Sequence, residues 1–210
     1  MNPPRRVPVT LVVVDSGPLI SLAAARRLDL LEAFARPVLV VDVAREECLR
    51  DLRAVGTADL AAWFAALDGV SYRVEPTPIL PVWREAAARE AAGDASRPTS
   101  GLGDAAAAWL LARLRDGSPG EVVLLLFEDA PFGDALVRLR HPEVYALSTR
   151  SFLQTLENFG VIPSAKEVIL AIAAAGRTLA RYGADRPGRG ERGERSQWTG
   201  PLADNKDRPS

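Results

Sequence analysis

The chain has 210 residues, of which 48% are hydrophobic and 25% charged, and its formal net charge is -1. This length supplies one well-buried core, and the composition is that of an ordinary globular domain. Because the net charge is close to zero, any contact with a nucleic acid must use a local basic patch. The single cysteine, Cys48, and the single histidine, His141, exclude a disulfide framework within the chain and metal sites built from several Cys or His side chains.

Predicted strands and helices alternate along the chain. Apolar runs typical of strands buried on both faces occupy 9–14, 38–41 and 121–127, and two shorter strands are predicted at 70–74 and 143–147. Helical spacing of apolar residues predicts helices at 18–34, 44–52, 57–67, 81–92, 104–114, 132–139, 149–159 and 164–181, the last capped by Ser164. This alternation predicts an α/β fold in which a mostly parallel central sheet is flanked by helices.

The composition divides the chain into three parts. Residues 1–8 form a basic N-terminal extension, 9–182 form the predicted domain, and 183–210 form a tail rich in Gly, Arg, Glu, Asp and Pro. Such a tail buries too little apolar surface to offset its ordering entropy, so we predict that it is disordered. No apolar run reaches the length of a membrane span, which predicts a cytoplasmic protein that does not contact membranes.

Acidic residues follow the strand positions in four separate segments. They are Asp15 after the first strand, Glu46 and Glu47 in the helix after the second, Asp104 at the start of a helix, and Glu128 and Asp129 after the strand at 121–127. Ligands of parallel α/β sheets bind beyond the carboxyl ends of the strands, so we expect these carboxylates to lie near one another. Taken singly, each acid has an ordinary structural explanation, as a turn residue, a helix-start residue or a solvated face.

A cluster of carboxylates favours a hard divalent cation. Mg²⁺ is commonly held by a few carboxylates together with water and substrate phosphate, and the cation offsets the repulsion between the acids. Such an ion can activate water and stabilise charge on a phosphodiester undergoing cleavage. This chemistry requires neither His nor Cys, which the chain has only once each.

Several segments carry a resemblance to a known family. The sequence Val-Val-Asp-Ser-Gly-Pro-Leu-Ile-Ser-Leu at 13–22 resembles the opening of PIN-domain proteins, which include the VapC-type toxins of toxin–antitoxin pairs and their free-standing relatives. Segments 43–46, 101–108 and 126–129 resemble the family's three further acidic motifs, and 148–163 resembles its closing Thr-containing turn and helix. The likeness covers about residues 10–182.

The resemblance implies a PIN-like, Rossmannoid fold and metal-dependent endoribonuclease activity. It implies Mg²⁺ or Mn²⁺ bound by Asp15, Glu46, Asp104 and Asp129, with Glu47 and Glu128 as alternates, and Thr149 in contact with a metal-bound water or a substrate phosphate. It further implies an RNA substrate, an antitoxin partner and a homodimer. The segment 130–134 departs from the family pattern because it lacks the basic residue that many relatives carry there.

Other interpretations compete with the ribonuclease, among them a phosphatase or receiver-type fold, which also places an Asp after its first strand. A PIN-like scaffold without catalysis, acting as an RNA-binding or assembly module, is favoured by the ordinary net charge and by the altered fourth motif. A dinucleotide-binding enzyme is suggested by the Gly-Leu-Gly at 101–103, but that motif should follow a strand and here follows a loop. The large aromatic residues Trp63, Phe64, Trp83 and Trp109 are predicted to lie in the core rather than at an interface.

Overall fold

A five-stranded sheet forms the centre of the described part of the chain. The computed structural model describes residues 9–13, 15–33, 38–51, 53–66, 72–94, 96, 98–117, 122–128 and 144–179. The strands are β1 (Val9–Val13), β2 (Val38–Val41), β3 (Tyr72–Glu75), β4 (Val122–Phe127) and β5 (Val144–Ser148). They lie in the order β3-β2-β1-β4-β5, and every pairing is parallel.

Helices connect and cover the strands. They are α1 (Ser16–Ala24), a 3₁₀ helix (Leu28–Ala33), α2 (Asp42–Arg50), α3 (Thr57–Ala66), α4 (Leu80–Ala91), α5 (Leu102–Gly117), α6 (Thr149–Asn158) and α7 (Ala165–Ala174). Helix α1 packs against α2, α3 and α7, whereas α5 packs against α2 and β2. The predicted α/β class with a parallel sheet flanked by helices is confirmed. Among the described helices, none has the length and apolar character needed to cross a membrane.

The core is continuous across the sheet. All four residues of β2 are buried, and three consecutive residues of β4, Leu124 to Leu126, have no exposed surface, which requires cover on both faces. Burying one such side chain contributes about 1.5–3 kcal/mol. Trp63, stacked on Tyr72 at a ring-centroid distance of 4.7 Å, and Phe64 are buried as predicted. Trp83 is also buried, and Trp109 is partly buried against the core.

The structure corrects three predicted helix boundaries. The predicted helix at 18–34 ends at Ala24, because the chain turns through Arg26, whose φ is 55°, before the 3₁₀ helix. Helix α2 begins at Asp42, two residues earlier than predicted, and the Asp42 carboxylate accepts a hydrogen bond from the backbone N–H of Val43 at 2.8 Å. The predicted helix at 164–181 ends at Ala174. The predicted helix at 132–139, the extension and the tail lie outside the described residues.

Glycine explains the early end of α7. Ser164 caps the start of this helix, as predicted, by accepting the N–H of Glu167 at 3.3 Å. At the other end Gly176 adopts a φ of 84°, a left-handed conformation that glycine tolerates and other residues resist. The N–H of Arg177 then donates to the Ile172 carbonyl at 3.2 Å, which completes the Schellman pattern of a helix end. This turn sends Arg177 back toward α1.

The sheet has one topological switch point, between β1 and β4. From β1 the connections run to β2 and β3 on one side, whereas β4 and β5 extend the sheet on the other. In the register, Val13 pairs with Leu126 and Phe127 pairs with Ser148. The residues just beyond these pairs are therefore neighbours at the carboxyl edge, where open α/β sheets bind their ligands.

Candidate metal centre

Asp15 joins the first strand to the first helix. As the N-cap of α1 it is extended, with φ -130° and ψ 145°, and its Oδ1 accepts the N–H of Gly17 at 3.2 Å. Its Oδ2 accepts the backbone N–H of Glu128 at 2.9 Å, across the switch point. The carboxylate is thus fixed by two backbone donors, and the positive end of the α1 dipole favours its negative charge.

Glu128 faces Asp15 from the end of β4. One of its carboxylate oxygens, Oε1, accepts the hydroxyl of Thr149 at 2.9 Å, and the other, Oε2, accepts from Nη2 of Arg177 at 3.2 Å. Thr149 has no exposed surface and begins α6. Thr149 therefore contacts and orients Glu128, whereas its predicted contact with a metal-bound water or a substrate phosphate stays a prediction. Asp129, the other candidate for the fourth acid, lies outside the described residues.

A glycine permits this close approach. A Cβ atom on Gly17 would lie 2.7 Å from Cβ of Glu128, 2.8 Å from its Oε2 and 3.1 Å from Oδ2 of Asp15. Distances below 3.0 Å require something to shift, so Glu128 could not keep this position beside a larger residue. Both carboxylates consequently face the same small space above the first turn of α1.

The two acids of α2 point to different surroundings. The carboxylate of Glu46 is paired with Arg84 of α4, Oε1 to Nη2 at 2.6 Å, in an exposed contact. Glu47 instead lies toward the first turn of α1, where the Ser16 side chain favours its charged form. The structure therefore brings the alternate Glu47 to the cluster, whereas Glu46, the first choice of the sequence analysis, is engaged in an ion pair with α4.

The pKa of Glu47 is raised above its ordinary value of 4.5. Burial is the largest cause, and the negative charges of Asp15 and Asp104 raise it further, whereas Ser16 and the Trp83 side chain oppose the shift. The effect of the two aspartates shows that they lie within electrostatic reach of Glu47. The carboxylates of Asp15 after β1, Glu47 within α2 and Asp104 in the first turn of α5 therefore influence one another electrostatically.

Asp104 lies in the first turn of α5 and is exposed. The preceding Gly103 passes close to Glu47, since a Cβ on that glycine would lie 3.6 Å from Oε1 of Glu47. The loop before α5 is held by Glu90 of α4, whose Oε1 accepts the backbone N–H of Thr99 at 2.7 Å. Donation from this N–H is the main reason that the pKa of Glu90 is lowered. This contact fixes the approach of α5 to the cluster.

Asp42 is a further carboxylate at this edge that sequence reasoning did not single out. It is buried, and besides Val43 it binds the backbone N–H of Thr77 through Oδ2 at 2.6 Å and the Thr77 hydroxyl through Oδ1 at 2.8 Å. These bonds tie the start of α2 to the loop after β3. With its hydrogen bonds made inside the protein, Asp42 is a structural residue.

Cys48 lies beneath the cluster and is buried. Its Sγ is 3.8 Å from the carbonyl oxygen of Ser16. Burial raises the pKa of this thiol, the negative charges of Glu47 and Asp15 raise it further, and Arg177 acts in the opposite direction. Cys48 is thus a protonated core residue, and three charged groups of the cluster lie within reach of it.

The donor set fits Mg²⁺ or Mn²⁺, which prefer carboxylate and water oxygens. The indole N–H of Trp83 is buried beside Glu47 and favours the charged form of that carboxylate, although it meets no described acceptor within hydrogen-bond geometry. Within the described ranges, no three Asp, Glu, His or Cys side chains are already grouped closely enough to hold one ion.

Three neighbours of the acids were missed by sequence reasoning. Ser16 and Trp83 accompany Glu47, and Arg177 pairs with Glu128 from 49 positions away in the sequence. The signal that was available was Gly176, a typical residue just beyond a helix end, which predicts that the chain turns back before Arg177.

The fold and the edge cluster define an α/β protein with a parallel sheet and carboxylates at its switch point. No family model matches this chain, and no curated protein or solved structure matches it significantly. The PIN-like assignment therefore stays a prediction from the sequence motifs.

Proposed function

We propose that this protein is a PIN-like, metal-dependent endoribonuclease that hydrolyses RNA phosphodiester bonds at the carboxylate cluster. The observation that carries the proposal is the hydrogen bond at 2.9 Å from the N–H of Glu128 to the carboxylate of Asp15, which joins two acids across the switch point. The raised pKa of Glu47, caused partly by Asp15 and Asp104, supports the same cluster. Together these contacts link the four acidic segments to which the motifs point, through Asp15, Glu47, Asp104 and Glu128.

The ligand set that the contacts support differs from the set that the sequence predicts. Asp15, Glu47, Asp104 and Glu128 would hold Mg²⁺ or Mn²⁺, and Asp129 stays a candidate. Glu47 is proposed as the ligand from α2 because the carboxylate of Glu46 is paired with Arg84. A bound divalent ion would supply an activated water as nucleophile and would neutralise charge on the phosphodiester.

The chain's own residues prepare the site for this chemistry. Two backbone N–H groups orient Asp15, and the Thr149 hydroxyl orients Glu128. Such outer-shell contacts fix which carboxylate oxygens face a ligand. Without a cation, Glu47 retains a proton more readily than an ordinary glutamate, which lessens the repulsion among the acids.

A catalytically inactive PIN-like scaffold is the second candidate. One observation favours it: both oxygens of Glu128 and both oxygens of Asp15 already accept hydrogen bonds inside the protein. A site satisfied in this way can persist as an RNA-binding or assembly module without a metal. An antitoxin partner and a homodimer stay predictions under either function.

Cleavage of single-stranded RNA is expected with Mg²⁺ or Mn²⁺ and is expected to stop when EDTA is added, because in the proposed reaction the bound ion activates the attacking water. The measurement is gel analysis of labelled RNA, with the Asp15→Asn protein purified in parallel as a test for contaminating nuclease. Full cleavage in EDTA would contradict the proposal. Tight Mn²⁺ binding with no cleavage of any RNA would instead support the inactive scaffold.

A further inference from the structure

We infer that Arg177 is the phosphate-positioning residue of this site, and that it binds the RNA backbone beside the carboxylate cluster. The inference rests on the proposed function, because it assumes that RNA occupies the cluster. It assigns a role to a segment that lies outside the motifs of the resemblance. The segment 130–134 lacks the basic residue that many relatives carry there, and Arg177 brings a positive charge to Glu128 from another part of the chain.

The guanidinium of Arg177 is fixed on two sides. Its Nε donates to the hydroxyl of Ser21 at 3.0 Å, and its Nη2 donates to Oε2 of Glu128 at 3.2 Å. Ser21 belongs to α1 and has no exposed surface, so it is a rigid anchor. The turn at Gly176 sets the direction from which the side chain arrives. A guanidinium held in this way loses little further entropy when it binds a ligand.

Arg177 keeps donors for a ligand. A guanidinium has five N–H groups, and the described contacts use those of Nε and Nη2. The side chain is 33% exposed, whereas that of Glu128 is 15% exposed, so the guanidinium stands on the solvent side of the pair. Planar N–H donors of this kind match the oxygens of a phosphate.

The distribution of charges favours a phosphate-binding role for Arg177 over a purely structural role as the partner of Glu128. Among the described ion pairs, that of Arg177 with Glu128 brings a cation to the cluster, whereas Arg84 and Arg45 contact the outward Glu46. A polyanion that approaches several carboxylates requires such a cation close by. Glu128 is then shared, because it would bind the metal while also holding Arg177.

Because Glu128 contacts Arg177 and would also bind the metal, loss of Arg177 should affect RNA binding and Mn²⁺ binding differently. Substitution Arg177→Gln removes a phosphate contact and also removes a cation that competes with Mn²⁺ for Glu128. We expect the KM for RNA to rise roughly 10- to 100-fold, as for the loss of one charged hydrogen bond. The affinity for Mn²⁺, measured by calorimetry without RNA, is expected to stay the same or to increase.

Binding of RNA is measured separately from cleavage. Fluorescence anisotropy with a phosphorothioate-substituted single-stranded RNA, in Mn²⁺ and at several salt concentrations, gives the slope of log K against log salt. Loss of one phosphate contact should reduce that slope by about 0.7. Substitution Ser21→Ala, which removes the anchor and retains the charge, should weaken RNA binding less than Arg177→Gln does, and thermal melts verify that both variants fold.

The control is Arg27→Gln. Arg27 is 32% exposed and paired with Asp29 at 3.0 Å, so it matches Arg177 in exposure and pairing but lies beyond the other end of α1. It should change neither RNA nor Mn²⁺ binding.

Unchanged RNA binding by the folded Arg177→Gln protein, or a loss of Mn²⁺ affinity alone, would overturn the inference and make Arg177 a support for Glu128. Binding of RNA without cleavage by the parent would refute only the nuclease, whereas no RNA binding would refute both.

Discussion

Substitution Asp15→Asn is expected to abolish RNA cleavage and to remove most of the Mn²⁺-dependent rise in melting temperature. The asparagine can still cap α1 through one oxygen, but it loses the second carboxylate oxygen, which accepts from Glu128. In metal-free buffer that lost hydrogen bond costs on the order of 1 kcal/mol, and relief of repulsion with Glu47 offsets part of it. Without metal, the melting temperature should therefore change by only about 2–4 °C.

Thermal melts with and without Mn²⁺ separate the two roles of Asp15. A ligand present at one hundred times its dissociation constant stabilises the folded protein by about 2.7 kcal/mol, and the parent should show this shift. The matched control is Asp29→Asn, since Asp29 is an exposed aspartate paired with Arg27 in the 3₁₀ helix. If Asp15→Asn melts much lower without metal yet gains the full Mn²⁺ shift, Asp15 is a capping residue only.

Substitution Glu47→Gln is expected to cost more activity than the same change at the neighbouring Glu46. Glu47 lies among the acids, so its loss should reduce cleavage by more than the roughly 10–100-fold typical of outer-shell partners of a metal. Glu46 pairs with Arg84 at 2.6 Å in an exposed contact, and such pairs contribute only about 0–1 kcal/mol. Steady-state cleavage rates of the two variants provide the comparison, and a greater loss at Glu46 would contradict the assignment.

Because the pKa of Glu47 is raised, the Glu47→Gln variant should also differ from the parent in how its stability depends on pH, without RNA present. A carboxyl whose folded pKa lies above its unfolded value binds its proton more tightly in the folded state, so metal-free stability falls as pH rises from about 4.5 through the folded pKa. Glu47→Gln lacks this loss. Urea unfolding should therefore show the variant gaining stability relative to the parent as pH increases through that window. Parallel curves for the two proteins would show that Glu47 is not perturbed.

The sheet was largely predictable because its signals are local. Val38–Val41 is a short apolar run after Pro37, and the observed strand has the predicted bounds. The described strand Val122–Phe127 lies within the predicted run at 121–127. Strands buried on both faces carry a continuous apolar signal that requires no knowledge of their neighbours. The end of α7 was predicted too late because its alanine-rich sequence masks the stop signal at Gly176.

The grouping of carboxylates at the sheet edge was predictable in outline, but the choice between neighbouring acids was not. The position of Asp15 follows from the strand before it, since the carboxyl ends of parallel strands meet at one edge. The choice between Glu46 and Glu47 depends on the rotation of α2 against α1 and α4, which no local pattern encodes. The contact of Arg177 with Glu128 likewise arises from the packing of α7 on α1.

A crystal structure of the protein soaked in Mn²⁺, with anomalous data collected near the manganese edge, would show whether the carboxylate cluster binds a metal ion. We expect an anomalous peak at coordination distance from the carboxylates of Asp15 and Glu128, with Glu47 on the same side and Glu46 still paired with Arg84. A structure with saturating Mn²⁺ and no peak at this edge, in which the contacts of Asp15 and Glu128 are unchanged, would contradict the metal centre.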